Sequence, residues 1–446
     1  MVQFSGQNVL LASSIRWPLT AKLALAFLRQ GCKVQAVCPP DHPFSFVRGI
    51  KTIYRYRGLD SLQSLYEAIS RAKPDVVIPC DDGVVWQLQE LHRDKPELRE
   101  LIERSIGSAS SYEIVACRAK LMEIAKELNI RVPETLEIQK ADDLHAWFTG
   151  SDVSGVLKLD RTCGGKGVQF AYSLREAEEA LAVMRRPANV ITALGRWSLI
   201  HDSLAFWKWK NHRQPVFTLQ EFIKGRPANT MLACREGKVL AMVTVEVLYA
   251  QSSTGTALVV RTIANEEIRV CADQVAARLG LSGFHGLDFM IEDGTGDAYL
   301  IELNPRCTQL GHLQMEKQGD LVGVFCQAYF GVSALPERAI SEETIAFFPE
   351  ALFANPECPF LKTSYVDIPW EEPRLVREMM RRDWRDRSFL ARLHRAIWPP
   401  KKTAVQFGSA GGSREKAGDC GGEDGTAVSH GAQPTDFAPV QDSRVQ

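Results

Sequence analysis

Residues 8–13 form a short apolar run, a helical pattern opened by Pro18 continues through Leu23, Ala26 and Leu28, and Gly31 closes it before a second apolar run at 34–38. A third buried-strand signal at 76–79 is followed, beyond Asp81 and Asp82, by a helical pattern that reaches Leu91. Strands alternating with helices predict an open parallel sheet of Rossmann-like α/β type. Residues 111–129 read as one helix with Pro133 as its breaker. The pattern then changes. Residues 156–159, 216–223, 239–248 and 257–263 read as strands and 270–279 as a helix, and two β-rich runs, 284–291 and 299–303, flank Asp293, Gly294, Thr295, Gly296 and Asp297. This last signal predicts a hairpin with a loop of several residues, and with it antiparallel sheet in the second half of the chain.

A loop centred on Thr295 sets the hairpin register: Glu292 pairs with Ala298, Met290 with Leu300, and Asp288 with Glu302. Side chains alternate along a strand, so Asp288, Glu302, Asn304 and Arg306 share one face. Opposed like charges cost roughly 0.2 to 1 kcal/mol, which calls for a reason. A divalent cation supplies one, because Mg²⁺ takes one or two carboxylates together with nucleotide phosphates, and Asn304 adds an amide oxygen. Arg306 has the planar fork that grips phosphate or carboxylate. A hairpin whose acids merely face water accounts for the spacing equally well when it is taken alone.

Lys158 lies in a strand-like run that enters Asp160, Arg161, Thr162, Cys163, Gly164, Gly165, Lys166, Gly167 and Val168. Glycines let backbone N–H groups approach phosphate oxygens, and a lysine behind them adds a point charge. The loop lacks the GK[ST] of a Walker A motif, and an ordinary glycine-rich turn is the plain alternative. Gln220, Glu221, Phe222 and Ile223 end a strand at Lys224 and Gly225, where a backbone C=O and N–H can match the donor and acceptor of an adenine edge.

Gly286, Leu287, Asp288 and Phe289 with Glu302, Leu303, Asn304, Pro305 and Arg306 resemble the metal-binding core of the ATP-grasp superfamily, and the other motifs follow in that family's order. The resemblance spans residues 8–314. It implies an ATP-grasp fold: a Rossmann-like domain over 1–112, a linker helix and lid over 113–222 interrupted by an insertion at 185–215, and a core over 223–335. Lys120 matches the family's phosphate-reaching lysine in the linker helix, with Asn129 where a glycine is usual. Lys158, Gly164, Gly165 and Gly167 match its phosphate loop, with Leu159 where proline is usual. Gln220 to Ile223 match its adenine hinge, although Pro227, Ala228 and Asn229 offer no ribose acid. Asp288, Glu302 and Asn304 then hold Mg²⁺ or Mn²⁺, and Arg306 is the catalytic arginine. The implied reaction is ATP-dependent ligation of a small-molecule carboxylate to an amine through an acyl phosphate, with ADP released. An ATP-binding regulatory protein without turnover is the alternative, and a nicotinamide oxidoreductase is disfavoured because the first turn, Ala12 to Trp17, has no GxGxxG.

Composition narrows the partners. A formal net charge of −1 provides no global attraction to nucleic acid or anionic lipid, so no nucleic-acid partner is expected. No apolar run approaches the ~18 residues of a membrane span, and the first residues carry no basic leader, so the expectation is a cytoplasmic protein without stable membrane insertion. Eleven cysteines, an odd count with no CxxC pair, argue for reduced thiols and against zinc. The aromatic-rich insertion reads as a local packing element rather than a base-stacking surface, and either His285 or His312 is a weak candidate for substrate contact. Residues 374–398 form a basic amphipathic pattern within an extension at 336–400. Residues 401–446 read as a disordered tail. A homodimer is left open, dimers being common among the resembled enzymes.

Overall fold

β1 (Asn8–Ala12) is an all-apolar strand but for its first residue, and its alternate side chains enter two different cores: Val9 and Leu11 on one face, Leu10 and Ala12 on the other. A strand buried on both faces belongs inside a parallel sheet covered by helices. In the computed structural model, which describes residues 7–150, 154–160, 167–185, 216–332, 339–381 and 405–407, that sheet runs β3-β2-β1-β4. Its other strands are β2 (Lys33–Cys38), β3 (Ile53–Arg55) and β4 (Val76–Pro79), flanked by α1 (Thr20–Arg29), α2 (Ser61–Ala72), α3 (Asp82–Asp94) and α4 (Arg99–Ile106). At the carboxyl ends of β1 and β4 the buried Asp81 accepts from Ser14 N–H at 2.6 Å, Ser14 Oγ at 2.6 Å and Ser13 Oγ at 3.0 Å. It also caps α3 through Val84 N–H at 3.1 Å. One carboxylate thus fixes the turn that carries Trp17 and the start of the helix that carries Asp82.

The stretch 111–129 is not one helix. α5 (Tyr112–Val115) stops, Cys117 turns extended, and α6 (Arg118–Glu127) begins anew. Local periodicity predicts continuity, but a carboxylate from elsewhere, Asp160, accepts the Arg118 N–H at 3.1 Å and so caps α6 from outside its own sequence. Asn129 takes the left-handed conformation at φ 57°, which asparagine tolerates where glycine is usual.

A second sheet of four antiparallel strands has the order β5-β8-β6-β7, from β5 (Thr135–Ile138), β6 (Gly155–Leu159), β7 (Val168–Ala171) and β8 (Phe217–Glu221). α7 (Ala141–Gly150) and α8 (Leu174–Met184) accompany it. The third sheet, eight-stranded, holds β9 (Gly225–Arg235), β10 (Lys238–Ala250), β11 (Ala257–Thr262), β12 (Gly283–Glu292) and β13 (Ala298–Asn304). One face packs on α9 (Glu266–Leu279) and α6 through Ala228, Leu232, Leu287 and Phe289. After the short pair β14 (Gln314–Met315) and β15 (Gly319–Asp320), α10 (Leu321–Phe330) joins the opposite face, where Met231, Ala233 and Phe284 meet Phe325 and the Phe27 of α1.

The residues beyond 335 extend this sheet, since β16 (Thr344–Ala346) pairs with β11 and β17 (Tyr365–Val366) with β16. β18 (Val405–Gln406) pairs with Tyr249 and Ala250 of β10, so these residues are ordered where a tail is expected from 401. All described residues lie within one compact unit, Met1–Phe407. The basic pattern at 374–398 begins in a helix at Pro373–Met379, and its continuation, the insertion at 186–215, and residues 408–446 lie outside the described residues. Among the described residues no helix is long and apolar enough to cross a membrane.

Candidate active site

β12 and β13 place Asp288 opposite Glu302, as the alternation requires. The rest of the expected register is corrected by one residue: Phe289 faces Leu300, Met290 faces Tyr299, and Ile291 faces Ala298, with a bulge between Asp288 and Phe289. The bulge leaves Ile301 unpaired and shortens the turn to Asp293 through Gly296, closed by Glu292 N–H to Asp297 O at 2.9 Å.

Two amides close on Asp288. Asn304 Nδ2 donates to Oδ2 at 3.0 Å, and Asn229, opposite Asp288 on β9, donates to Oδ1 at 2.6 Å. Burial first and the Glu302 charge second raise the Asp288 pKa to about 6, against the two amides and Arg306, which oppose the rise. Glu302 is held from the other side by Arg118 Nη2 at 2.9 Å. The same buried guanidinium reaches Asp160 Oδ1 at 2.5 Å. One cation thus bridges a carboxylate at the end of β6 and one on β13.

Lys158 is buried on β6 and donates to Gln220 Oε1 at 2.5 Å, while Gln220 Nε2 donates to Thr135 Oγ1 at 3.0 Å. Burial first and the Arg118 charge second lower the Lys158 pKa to about 7, against the opposing pull of Glu302, Asp288 and Asp160. These mutual fields place Lys158 and Arg118 with the three carboxylates in one electrostatic cluster. Asp82, Trp86, Arg118, Asp160, Glu302 and Asn304 share the lining of one cleft.

Arg306 donates its N–H to Asn304 O at 2.8 Å, ion-pairs through Nε with Asp82 Oδ2 at 3.0 Å and lies 5.7 Å from the Trp17 ring centre. It therefore fastens the hairpin to the carboxyl ends of the parallel sheet, the edge where open α/β sheets bind ligands. At the end of β8, Glu134 N–H donates to the Glu221 carboxylate at 3.2 Å while Glu221 N–H donates to Glu134 O at 2.8 Å. Phe222 N–H continues to Ser154 O at 2.9 Å, the half-exposed Phe222 ring packs edge-on against Phe170, and Ile223 is buried. Gly225 lets the next strand start, because a Cβ there would lie 2.0 Å from Ile291 O.

Lys120 is not brought to this cluster. It stands on α6 with its side chain half exposed, paired to Glu113 at 3.1 Å, and the residue two positions earlier, Arg118, occupies the site instead. Gly167 has φ 85° and its carbonyl accepts Leu159 N–H at 2.8 Å, a bond that proline at 159 could not make. Gly164 and Gly165 lie outside the described residues. Both candidate histidines bond within the fold: buried His285 bonds Ser282 O through Nε2 at 2.7 Å, and His312 bonds Asp367 at 3.0 Å beside Lys22. Arg118, Asp160 and Asn229 are the site residues that sequence reasoning missed.

No three His, Cys, Asp or Glu side chains gather as a metal site among the described residues. Two carboxylates and an amide suit a hard cation that completes its shell with phosphate oxygens, and Asp288, Glu302 and Asn304 fit that role.

Comparison with known proteins agrees with this architecture. A family model described as an ATP-grasp domain matches residues 202–309. The structure superposes on N5-carboxyaminoimidazole synthetase from Staphylococcus aureus complexed with ADP with a TM-score of 0.53 at 12% identity, covering 74% of this chain and 79% of that one. The fold is that of the ATP-grasp superfamily. A second ATP-grasp structure, the biotin carboxylase domain of Hydrogenobacter thermophilus 2-oxoglutarate carboxylase with MgADP and bicarbonate, matches with a TM-score of 0.53 at 13% identity over 75% of this chain and 72% of that one. In sequence, the chain is 22% identical over 264 residues to the N-terminal section of the carbamoyl phosphate synthase large chain of Aquifex aeolicus (strain VF5). That match covers 57% of this chain and 44% of the relative's length, so the chain spans less than half of it.

Proposed function

We propose that this ATP-grasp protein is an ADP-forming ligase that activates a small carboxylate as an acyl phosphate for attack by an amine or similar nucleophile. The observation that carries the reading is the cluster itself: two carboxylates opposed on one hairpin, crowned by amides and faced by a buried lysine and a buried arginine. Such a set has little covalent chemistry to offer and much charge to neutralise, which is what phosphoryl transfer asks of a protein.

Asp288, Glu302 and Asn304 would hold Mg²⁺, which when bound neutralises phosphate charge. Lys158 and Arg118 would neutralise the remaining phosphate oxygens. An entering anion would favour the charged form of Lys158, which burial disfavours. Arg118 would exchange Glu302 for phosphate while keeping Asp160 as its anchor. The Glu221 carbonyl and Ile223 N–H would read the adenine edge, a role favoured by Glu134 N–H bonding the Glu221 carboxylate rather than continuing the ladder. Arg306, held by Asp82 and lying over Trp17, stands between the hairpin and the parallel sheet, where it would orient the acyl phosphate toward the nucleophile. The likeness to ADP-bound carboxylating enzymes makes bicarbonate the first carboxylate to try. Release of ADP from Mg-ATP that depends on a carboxylate and an amine, and that Glu302→Gln abolishes, supports the reading. Tight ATP binding with no such release would favour a regulatory nucleotide-binding role.

A further inference from the structure

Cys32 and Cys326 lie in different parts of the fold. The first follows the Gly31 turn after α1 and immediately precedes β2; the second sits on α10, against the antiparallel core. Their sulfurs are 3.5 Å apart, and both residues are buried, at 5% and 1% exposure. We infer that this thiol pair is an oxidation site that closes to a disulfide and latches the parallel-sheet region to the ATP-grasp core.

The geometry asks little of the fold. A disulfide bond is about 2.05 Å long, so the two sulfurs together must close about 1.5 Å from their 3.5 Å separation. α1, which leads into Cys32, and α10, which carries Cys326, are already fastened to each other, because Gln30 Nε2 at the end of α1 donates to Asp320 Oδ2 at the start of α10 at 2.9 Å, and Phe27 packs edge-on against Phe325 with ring centres 5.9 Å apart. The other buried cysteines among the described residues have no such thiol contact at hydrogen-bond range. The loop that the bond would close, from 32 to 326, contains every residue placed in the active-site cluster, and a cross-link across a long loop restricts the unfolded chain strongly.

The oxidant must be small, because the pair is buried: a peroxide suits, whereas a bulky disulfide does not. The Cys32 thiolate attacks one peroxide oxygen, forming S–O as O–O breaks and hydroxide leaves. The Cys326 sulfur then attacks the Cys32 sulfenic acid, forming S–S as S–O breaks. The second hydroxide leaves with the thiol proton, so that two thiols and one hydrogen peroxide give one disulfide and two waters.

The test uses the full chain exposed to hydrogen peroxide at stoichiometric excess, quenched and digested without reduction. The expected result is a peptide joining Cys32 to Cys326, two fewer titratable thiols after denaturation, and a melting temperature raised by a few degrees that returns on reduction with dithiothreitol. Cys32→Ser, at the more exposed partner, removes the linked peptide and the melting shift together. If that variant folds poorly, Cys326→Ala serves for the same comparison. Sulfinic or sulfonic acid at Cys32 with no linked peptide, linkage to another cysteine, or a linked peptide without a rise in melting temperature would overturn the latch.

Discussion

Replacing Arg118 by Met tests the arrangement at its centre. Arg118 is 7% exposed and bridges Asp160 at 2.5 Å and Glu302 at 2.9 Å. Removing one partner of a buried ion pair costs about 3 to 5 kcal/mol, because the other charge stays behind uncompensated. The lower end applies here, for two reasons. Asp160 keeps the Arg118 backbone N–H at 3.1 Å, and the Glu302 side chain, 33% exposed, can turn to water. Arg118→Met is therefore expected to lower unfolding stability by about 3 kcal/mol, read from urea unfolding followed by tryptophan fluorescence. In nucleotide binding, each charge-assisted bond lost to phosphate is worth about 1.5 to 3 kcal/mol, so Mg-ADP affinity measured by calorimetry should fall roughly 10- to 150-fold. Lys120→Met should change neither quantity measurably, since Lys120 is exposed and meets only Glu113. If Lys120→Met weakens Mg-ADP binding as much as predicted for Arg118→Met, while the Arg118 variant binds normally, the assignment of the phosphate-facing cation is wrong.

Acid should destabilise the fold through two buried neutral histidines. Burial holds His42 down at about 3, with the Arg16 charge second, and His285 down at about 4. The unfolded chain takes up protons from about pH 6.5 downward while the folded one does not, so stability falls as pH drops below 6.5. The loss is about 2 kcal/mol for each histidine by pH 5, and an unchanged urea midpoint between pH 7 and 5 would refute this. Asn229→Leu removes one of the two amides that stabilise ionised Asp288, so the acid limb of ADP release should move to higher pH, and a limb that stays in place would detach Asn229 from the site. Gly225→Ala forces a Cβ to within 2.0 Å of Ile291 O, and the resulting backbone shift should cost about 1 to 3 kcal/mol in thermal denaturation. A variant as stable as the parent would mean that the hinge strand has room.

The opposition of Asp288 and Glu302 was legible because strand alternation is a two-residue rule that survives errors elsewhere. The bulge beside Phe289 shifted every pair on the loop side and left this one intact. The strands that carry Lys158 and Gln220 were legible in the same way, each short and next to a glycine signal, whereas the bond between the two side chains was not. Arg118 was not, since the periodicity of 111–129 hides a helix break imposed by Asp160, 42 residues later, a contact that leaves no trace in local sequence. Asn229 was equally silent: it reaches Asp288 only through the β9–β12 pairing, which joins residues 59 apart. The parallel sheet could be anticipated from its alternating strands and helices, but the strands at Thr344–Ala346 and Val405–Gln406 are too short to announce themselves.

The acyl phosphate is the claim on which the proposed chemistry stands, and oxygen tracing tests it most directly. The protein is incubated with Mg-ATP, a panel of amines, and either bicarbonate or small carboxylates labelled with ¹⁸O, and the released inorganic phosphate is examined by ³¹P NMR. Transfer of one ¹⁸O from the carboxylate to phosphate, in step with ADP release and absent in Glu302→Gln, is the predicted result. ADP release with unlabelled phosphate would contradict it, because the γ-phosphoryl group would then have gone to water rather than to the carboxylate.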